Sequence, residues 1–329
     1  MSAVTDTTSP SEKQFAAVIY NPIKVDLPAV RGVVEAAEQA HGWGSTRWLP
    51  TSKEDVGQGC AAEAVESGAS VVIVAGGDGT VRAVAEGVHS HSLPLALLPS
   101  GTGNLLARNL DLPLDDIDAA VNIAFTGDIR RIDVGRIEIT RDDRTTSSHV
   151  FVVMAGLGLD AKMLANTDDK LKKKAGWLAY VTALAVTLRD PNELRLRYSL
   201  NGGRSRSLRA HTLMIANCGS LPSNIVLLPD AEVDDGQFDI ALLRPGGFFG
   251  WVQIFVKVIW ENGVLRRTKA GRAFMTEEVS ALRYVKATAM AVQLTRAEQI
   301  ELDGDEFGAA RAFDTRIAPG ALSIKFPRT

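Results

Sequence analysis

VVIVAGGDGTVRAVAEG, residues 71–87, sets a glycine-rich turn between two elements of different character. Val71, Val72, Ile73 and Val74 read as a strand buried on both faces, since β-branched residues suit extended backbone and no alternating position is polar. Near Thr80 the apolar spacing becomes helical. Between the two, Gly76, Gly77 and Gly79 free the backbone to take positive φ and to bring its N–H groups close to a ligand. The helix N-terminus adds positive potential, and the combination suits a phosphate. Asp78 would repel that phosphate unless Mg²⁺ stood between them, which makes it a candidate for organising a metal and a nucleotide. Thr80 can cap the helix or hydrogen-bond a phosphate.

A turn of this kind, met alone, is more often an ordinary strand-to-helix connection with an N-cap. Here the arrangement recurs. PLALLPSGTGNLLARNL, residues 94–110, again runs from buried strand through a turn, Ser100, Gly101, Thr102, Gly103 and Asn104, into a helix. Two such loops at the strand ends of one sheet can converge on one ligand. The chain has no GxxxxGK[ST], no GxGxxG with a following ribose-binding acid, and no protein-kinase motif set, so three common nucleotide-binding classes are excluded.

Outward from these loops, FAAVIY (15–20) and STRWLP (45–50) read as further strands, and residues 28–40 and 53–67 as helices closed by Gly42 and Gly68. Strand and helix alternate as on an open parallel sheet, whose ligands sit beyond the carboxyl ends of the strands. After about Arg131 strands dominate: RIDVGRIEI (131–139), HVFVVMAG (149–156), ELRLRYSL (193–200), SLRAHTLMIAN (207–217), QFDIALLR (237–244), VQLT (292–295) and ALSIKF (321–326). Helical stretches near 170–188 and 247–261 interrupt them. The expected division is a disordered tail over 1–13, an α/β domain over 14–131 and a β-rich domain over 132–315, with the last strand, about 316–329, free to return to the first domain.

The 329 residues suffice for two ordinary domains, and 46% hydrophobic with 23% charged residues describes a globular chain. A net charge of −3 gives no reason to expect nucleic acid. Cys60 and Cys218 lie far apart with no zinc spacing and read as core residues of a reducing compartment. The N-terminus lacks an apolar signal-peptide core, and the apolar runs fall short of the ~18–20 residues that span a bilayer, so any membrane contact is expected to be peripheral.

GGDGT followed by PSGTGN resembles the catalytic domain of the diacylglycerol kinase family, which includes bacterial lipid kinases, sphingosine kinases and ceramide kinases. NAD kinases and phosphofructokinases share the shorter GGDGT. The resemblance implies an α/β plus β fold: an N-terminal open parallel-sheet nucleotide-binding domain of the NAD kinase and diacylglycerol kinase type, with a C-terminal antiparallel β-sandwich. It implies ATP and Mg²⁺ as cofactors. Asn21 and Pro22, Thr51, residues 76–80 and residues 100–104 would contact the nucleotide, with Asp78 as the essential loop aspartate. Asp133 and the glycine-rich MAGLGLDA segment, with Gly156 and Gly158, would face a substrate cleft; unaided, the latter reads as a turn capped by Asp160. Asp230, Asp234 and Asp235 resemble the acids that hold a structural Mg²⁺ in bacterial members; read on its own, DDG is more often a solvated acidic hairpin turn. ELDGDEFG (301–308) matches the family turn that carries the catalytic base, for which Asp303 is the first choice, with Asp305 beside it.

The chain departs from the family in three places. Arg82 and Ala83 stand where Asn-Glu often follows GGDGT, Leu105 follows Asn104 where many members have Asp, and Asp305 replaces the usual Glu. A lipid acceptor would be met at a membrane surface. Lys170, Lys172, Lys173 and Lys174 beside an apolar helix with Trp177 and Tyr180 offer one contact, and residues 248–260 a second. Both also read as helices packed on the β domain with lysines in solvent. The expectation is therefore an ATP- and Mg²⁺-dependent lipid kinase at the inner face of the membrane, most simply for diacylglycerol. Sphingoid bases, ceramide, an NAD-kinase-like acceptor or a non-catalytic nucleotide-binding regulator are the alternatives, and self-association as a homodimer stays open.

Overall fold

The computed structural model describes residues 13–158, 193–221, 225, 226, 228, 230–244 and 282–328. The helical stretches expected near 170–188 and 247–261, the lysine cluster with Trp177 and Tyr180, and Asp160 lie outside them.

Strand and helix alternate through the first part of the chain: β1 (Ala16–Tyr20), α1 (Leu27–His41), β2 (Arg47–Pro50), α2 (Gln58–Glu66), β3 (Val71–Gly76), α3 (Asp78–Val88), β4 (Leu95–Pro99), α4 (Leu105–Asn109) and α5 (Ile117–Thr126). The strands are parallel in the order β4-β3-β1-β2. Every residue of β1 and β3 is buried, because helices cover both faces of the sheet. On one face Val72, Val74 and Leu97 pack with Ala61, Ala64, Val84 and Leu106. On the other Val18, Ile73 and Ala96 meet Val30 and Val34 of α1 and Val121 and Phe125 of α5.

Helix starts differ from the periodicity where side chains intervene. α2 begins at Gln58 rather than near residue 53, because the Asp55 carboxylate accepts the N–H groups of Gly57, Gly59 and Cys60 and holds the preceding residues in a turn. α3 begins at Asp78 with Gly77 as N-cap, two residues before Thr80. Thr80 is therefore not the cap. Its side chain is buried against Gly76, where a Cβ would lie 2.7 Å from the Thr80 Cβ.

The second part is built from antiparallel strands: β5 (Asp128–Thr140), β6 (Thr146–Phe151), β7 (Met154–Leu157), β8 (Leu194–Leu200), β9 (Arg206–Ala210), β10 (Thr212–Ala216), the short β11 (Ser220–Leu221) and β12 (Ile225–Val226), β13 (Phe238–Leu243), β14 (Leu282–Ala287), β15 (Ala289–Leu302) and β16 (Asp305–Phe326). They form a β-sandwich-like domain around Phe151, Phe238, Phe313, Leu213 and Ile300. β16 joins the halves. It pairs antiparallel with β15 and β5, and at Ile324 it lies parallel to β4 opposite Leu95, so one sheet runs through the molecule. The single strand expected over 149–156 is broken at Val152 and Val153, whose N–H groups turn to the Asp303 carboxylate instead of a neighbouring strand.

Candidate active site

The two glycine turns lie side by side at the carboxyl ends of β3 and β4. A Cβ on Gly101 would stand 2.7 Å from the Gly77 Cα, so only glycine allows the loops this close. Ser100 N–H donates to Gly76 O, and the Asn104 side chain closes the second turn by accepting from Gly101 N–H and donating to Gly101 O. Asn104 itself takes a left-handed φ of 49°, which Asn tolerates better than most residues. Asp78 accepts the Leu105 N–H at 2.5 Å and ties one loop to the helix after the other. No side chain caps α3, the condition in which first-turn N–H groups serve an anion.

The neighbouring strand end frames this site. Asn21 N–H donates to Ala75 O and its side chain accepts from Ile23 N–H, turning the chain at the exposed Pro22. Thr51 N–H donates to Tyr20 O, and Thr51 is buried at the end of β2. Thr102 is exposed at the tip of its loop. Lys24, which no motif singled out, brings its Nζ within 3.4 Å of where a Gly77 Cβ would stand and supplies a cation at the loop. Its signal in the sequence was only its place three residues after Asn21.

The turn between β15 and β16 delivers two acids with different surroundings. Asp303 is 3% exposed, takes a left-handed φ of 50°, and accepts N–H groups from Val152, Val153 and Met154 at 2.8–2.9 Å. Burial pushes its carboxyl up to about 6 against the pull of those three bonds. This is a structural cross-link between the two ends of the β domain and not a group open to an incoming hydroxyl. Asp305 is its opposite. Its side chain is 51% exposed and lies over the 76–80 loop, where a Cβ on Gly79 would come 2.5 Å from Oδ2. Burial raises its carboxyl, while Arg82 and then Lys24 pull it down. The two acids of one turn thus sit in opposite environments, Asp303 buried and bonded, Asp305 half-exposed at the 76–80 loop.

The chain matches two family descriptions in tandem: the diacylglycerol kinase catalytic domain over residues 16–137 and the YegS C-terminal NAD kinase beta sandwich-like domain over residues 152–326. It belongs to the diacylglycerol kinase family of lipid kinases. A protein described as "Probable lipid kinase YegS-like" from Pseudomonas fluorescens is 31% identical over 91% of this chain and 90% of its own. The "Diacylglycerol kinase" of Bacillus subtilis is 26% identical over 89% and 90%. Among solved structures, a diacylglycerol kinase from Bacillus anthracis superposes with a TM-score of 0.66 over 96% of this chain and 98% of its own, at 17% identity. Yeast NADH kinase shares the fold more distantly, with a TM-score of 0.52 over 95% and 79% at 8% identity.

In this diacylglycerol kinase family member, the remaining expected site residues have partners within the β-rich part of the chain. Asp133 is 1% exposed, and its two oxygens accept Gly236 N–H and Gly320 N–H, so it holds β5, the loop at Gly236 and β16 together. Gly156 sits within β7, opposite Glu301 and Met214, and Gly158 follows at φ +75°, where a Cβ would stand 2.1 Å from His211 O. Both serve backbone packing.

The residues expected to hold a structural metal do not converge on one. Asp234 is bound by Arg130 at 2.7 Å, and Asp235 by Lys286 Nζ at 2.8 Å. The same ammonium reaches Asp230 O at 2.9 Å and Asp239 Oδ2 at 3.5 Å. A lysine already occupies the centre of these oxygens, and among the described residues no group of three or more acids, histidines or cysteines could hold a metal. A cavity of about 480 Å³ opens beyond Glu86 and His149, lined also by Arg136, Met290 and Asp314. It contains no residue of either loop.

Proposed function

We propose that the chain transfers the γ-phosphoryl group of ATP to the hydroxyl of diacylglycerol, forming phosphatidic acid and ADP. The observation that carries this reading is Asp305, brought by the β domain over Gly79 in the phosphate loop of the α/β domain. A proton acceptor and a polyphosphate site are thereby joined across the two domains, as an alcohol kinase requires.

In this reading the 76–80 and 100–104 loops bind the phosphates through backbone N–H groups, and Lys24 offsets their charge. Asp305 takes the acceptor proton as the hydroxyl oxygen attacks the γ-phosphorus, and the bond to the β-phosphate oxygen breaks. Asp78 fits a nucleotide-bound Mg²⁺: it is a hard oxygen donor between the loops, its carboxyl raised by burial and, to a smaller extent, by the nearby carboxylate of Asp305. Mg²⁺ commonly binds through one or two carboxylates plus substrate phosphates, so no larger acid cluster is needed. When bound it neutralises charge on the transferring phosphoryl oxygens.

No helix among the described residues is long and apolar enough to cross a membrane. The acceptor would be reached from the membrane surface through the basic and apolar segments near 170–188 and 248–260. Incubation with labelled ATP and a panel of diacylglycerol, sphingosine, ceramide and NAD tests the reading. Label is expected in diacylglycerol, and label in NAD alone would overturn the lipid assignment.

A further inference from the structure

Arg82 is one of the chain's departures from its family, and its surroundings are unusual for a cation. It projects from α3 and is 4% exposed. Nη1 donates to Glu86 Oε2 at 3.1 Å, and the guanidinium lies 4.5 Å from the Phe307 ring centroid. Glu86 is held in turn by Val150 N–H at 3.3 Å, with His149 Nδ1 3.8 Å from its other oxygen, and the His149 ring meets Phe307 edge-on at 4.6 Å. The guanidinium is thus fixed on two sides. Its Nε has no hydrogen-bond partner among the described residues and lies 3.9 Å from Asp305 Oδ2.

A buried donor without a partner is destabilising unless some state of the molecule satisfies it. The half-exposed Asp305 carboxylate is the acceptor within reach, and a movement of about 1 Å brings it to hydrogen-bond distance. We propose that Arg82 is the positioning residue for Asp305, holding its carboxylate over Gly79 and turned toward the two loops. This rests on the reading of Asp305 as the acceptor's base. The two departures complement each other: the acid here is one methylene shorter than the family's Glu, and the residue facing it is longer than the family's Asn.

The charged groups around Asp305 are Arg82 from α3, Lys24 from the turn after β1 and Asp78 at the start of α3. Arg82 and Lys24 favour its ionised form, and Asp78 opposes it. Arg82 is the larger of the two favourable influences. Removing it therefore moves Asp305 ionisation to higher pH.

The test is steady-state phosphoryl transfer by the full chain, with kcat, both KM values and pH profiles for wild type, Arg82→Met, Arg82→Lys, Arg82→Met/Glu86→Gln and Asp305→Asn. Arg82→Met is expected to lower kcat about 10- to 100-fold, the loss typical of a misplaced reacting group. KM for ATP should stay within about twofold, and the acid limb should move to higher pH. Arg82→Lys should return the acid limb to its place. The double variant leaves no unpaired buried Glu86, so it guards against a folding defect, and it should lose the same rate. A purely structural role would lower Tm and leave the acid limb where it was. If Asp305→Asn turns over normally, the base assignment fails whatever Arg82 does. If Asp305→Asn is inactive while the double variant keeps the wild-type rate and acid limb, Asp305 stands and the Arg82 proposal is overturned.

Discussion

The Leu105 N–H donates to the Asp78 carboxylate across 2.5 Å, joining the glycine turn after β3 to the helix that follows the turn after β4. Asp78 therefore has a folding task as well as the proposed nucleotide and metal task, and two substitutions separate them. Asp78→Asn keeps an oxygen for Leu105 but removes the charge. It should lower phosphoryl transfer about 100-fold or more with little change in urea midpoint. Asp78→Ala also leaves Leu105 N–H without its partner and should lose about 1–3 kcal/mol in addition. Normal turnover by Asp78→Asn would remove the carboxylate from the chemistry.

Glycine is required at two points for different reasons. Gly101→Ala forces a methyl against the Gly77 Cα, backbone against backbone, so the loops must separate. Weaker nucleotide binding by equilibrium dialysis and a stability loss of about 1–3 kcal/mol are expected. Gly79→Ala meets the Asp305 carboxylate first, the movable end of a side chain, so kcat should fall about 100-fold while the fold survives. Gly32→Ala in α1 has nothing within 4 Å and is the control, expected to stabilise by about 0.5–1 kcal/mol.

Asp303 links pH to stability in the opposite sense from a salt-bridged acid. Its carboxyl is raised to about 6 in the folded chain and returns to about 3.9 on unfolding. Between those values the folded state holds more protons, so this residue's contribution falls as pH rises from about 4 to about 6, by up to roughly 3 kcal/mol, and is level above. Asp303→Asn carries no titration. The unfolding free energy of wild type minus that of the variant, from urea melts at half-unit steps, should decline through that window. A constant difference would mean that the three N–H bonds cancel the effect of burial, and a rising one that they outweigh it.

Lys286 makes a further prediction about metals. Because its ammonium already bonds Asp230 O and Asp235 Oδ2, chelation should leave the wild-type Tm unchanged. Lys286→Met should lose about 1 kcal/mol and recover part of it with added Mg²⁺, since the freed oxygens suit a hard cation. A wild-type Tm that drops on chelation would reinstate a structural metal.

Asp133→Ala should act on stability alone. It unpairs Gly236 N–H and Gly320 N–H and should cost about 2–5 kcal/mol, with KM for both substrates unchanged in the remaining folded protein.

The parallel strands β1, β3 and β4 and both glycine turns were legible in the linear chain because their determinants are local. A run of β-branched residues, then glycines, then a helical period specify strand, turn and helix within about fifteen neighbouring residues. The same locality misplaced the starts of α2 and α3, where Asp55 and Gly77 override the hydrophobic period. Asp303 and Asp305 stand two residues apart with the same side chain, and nothing local tells them apart. Asp303 is distinguished by Val152, 151 residues away, and Asp305 by Gly79 and Arg82 in the other domain. Asp133 is likewise taken up by Gly320, 187 residues on, and the 230–235 acids by Arg130 and Lys286. A carboxylate's role follows from which donors and charges surround it, and those neighbours are chosen by the path of β16 between the two domains.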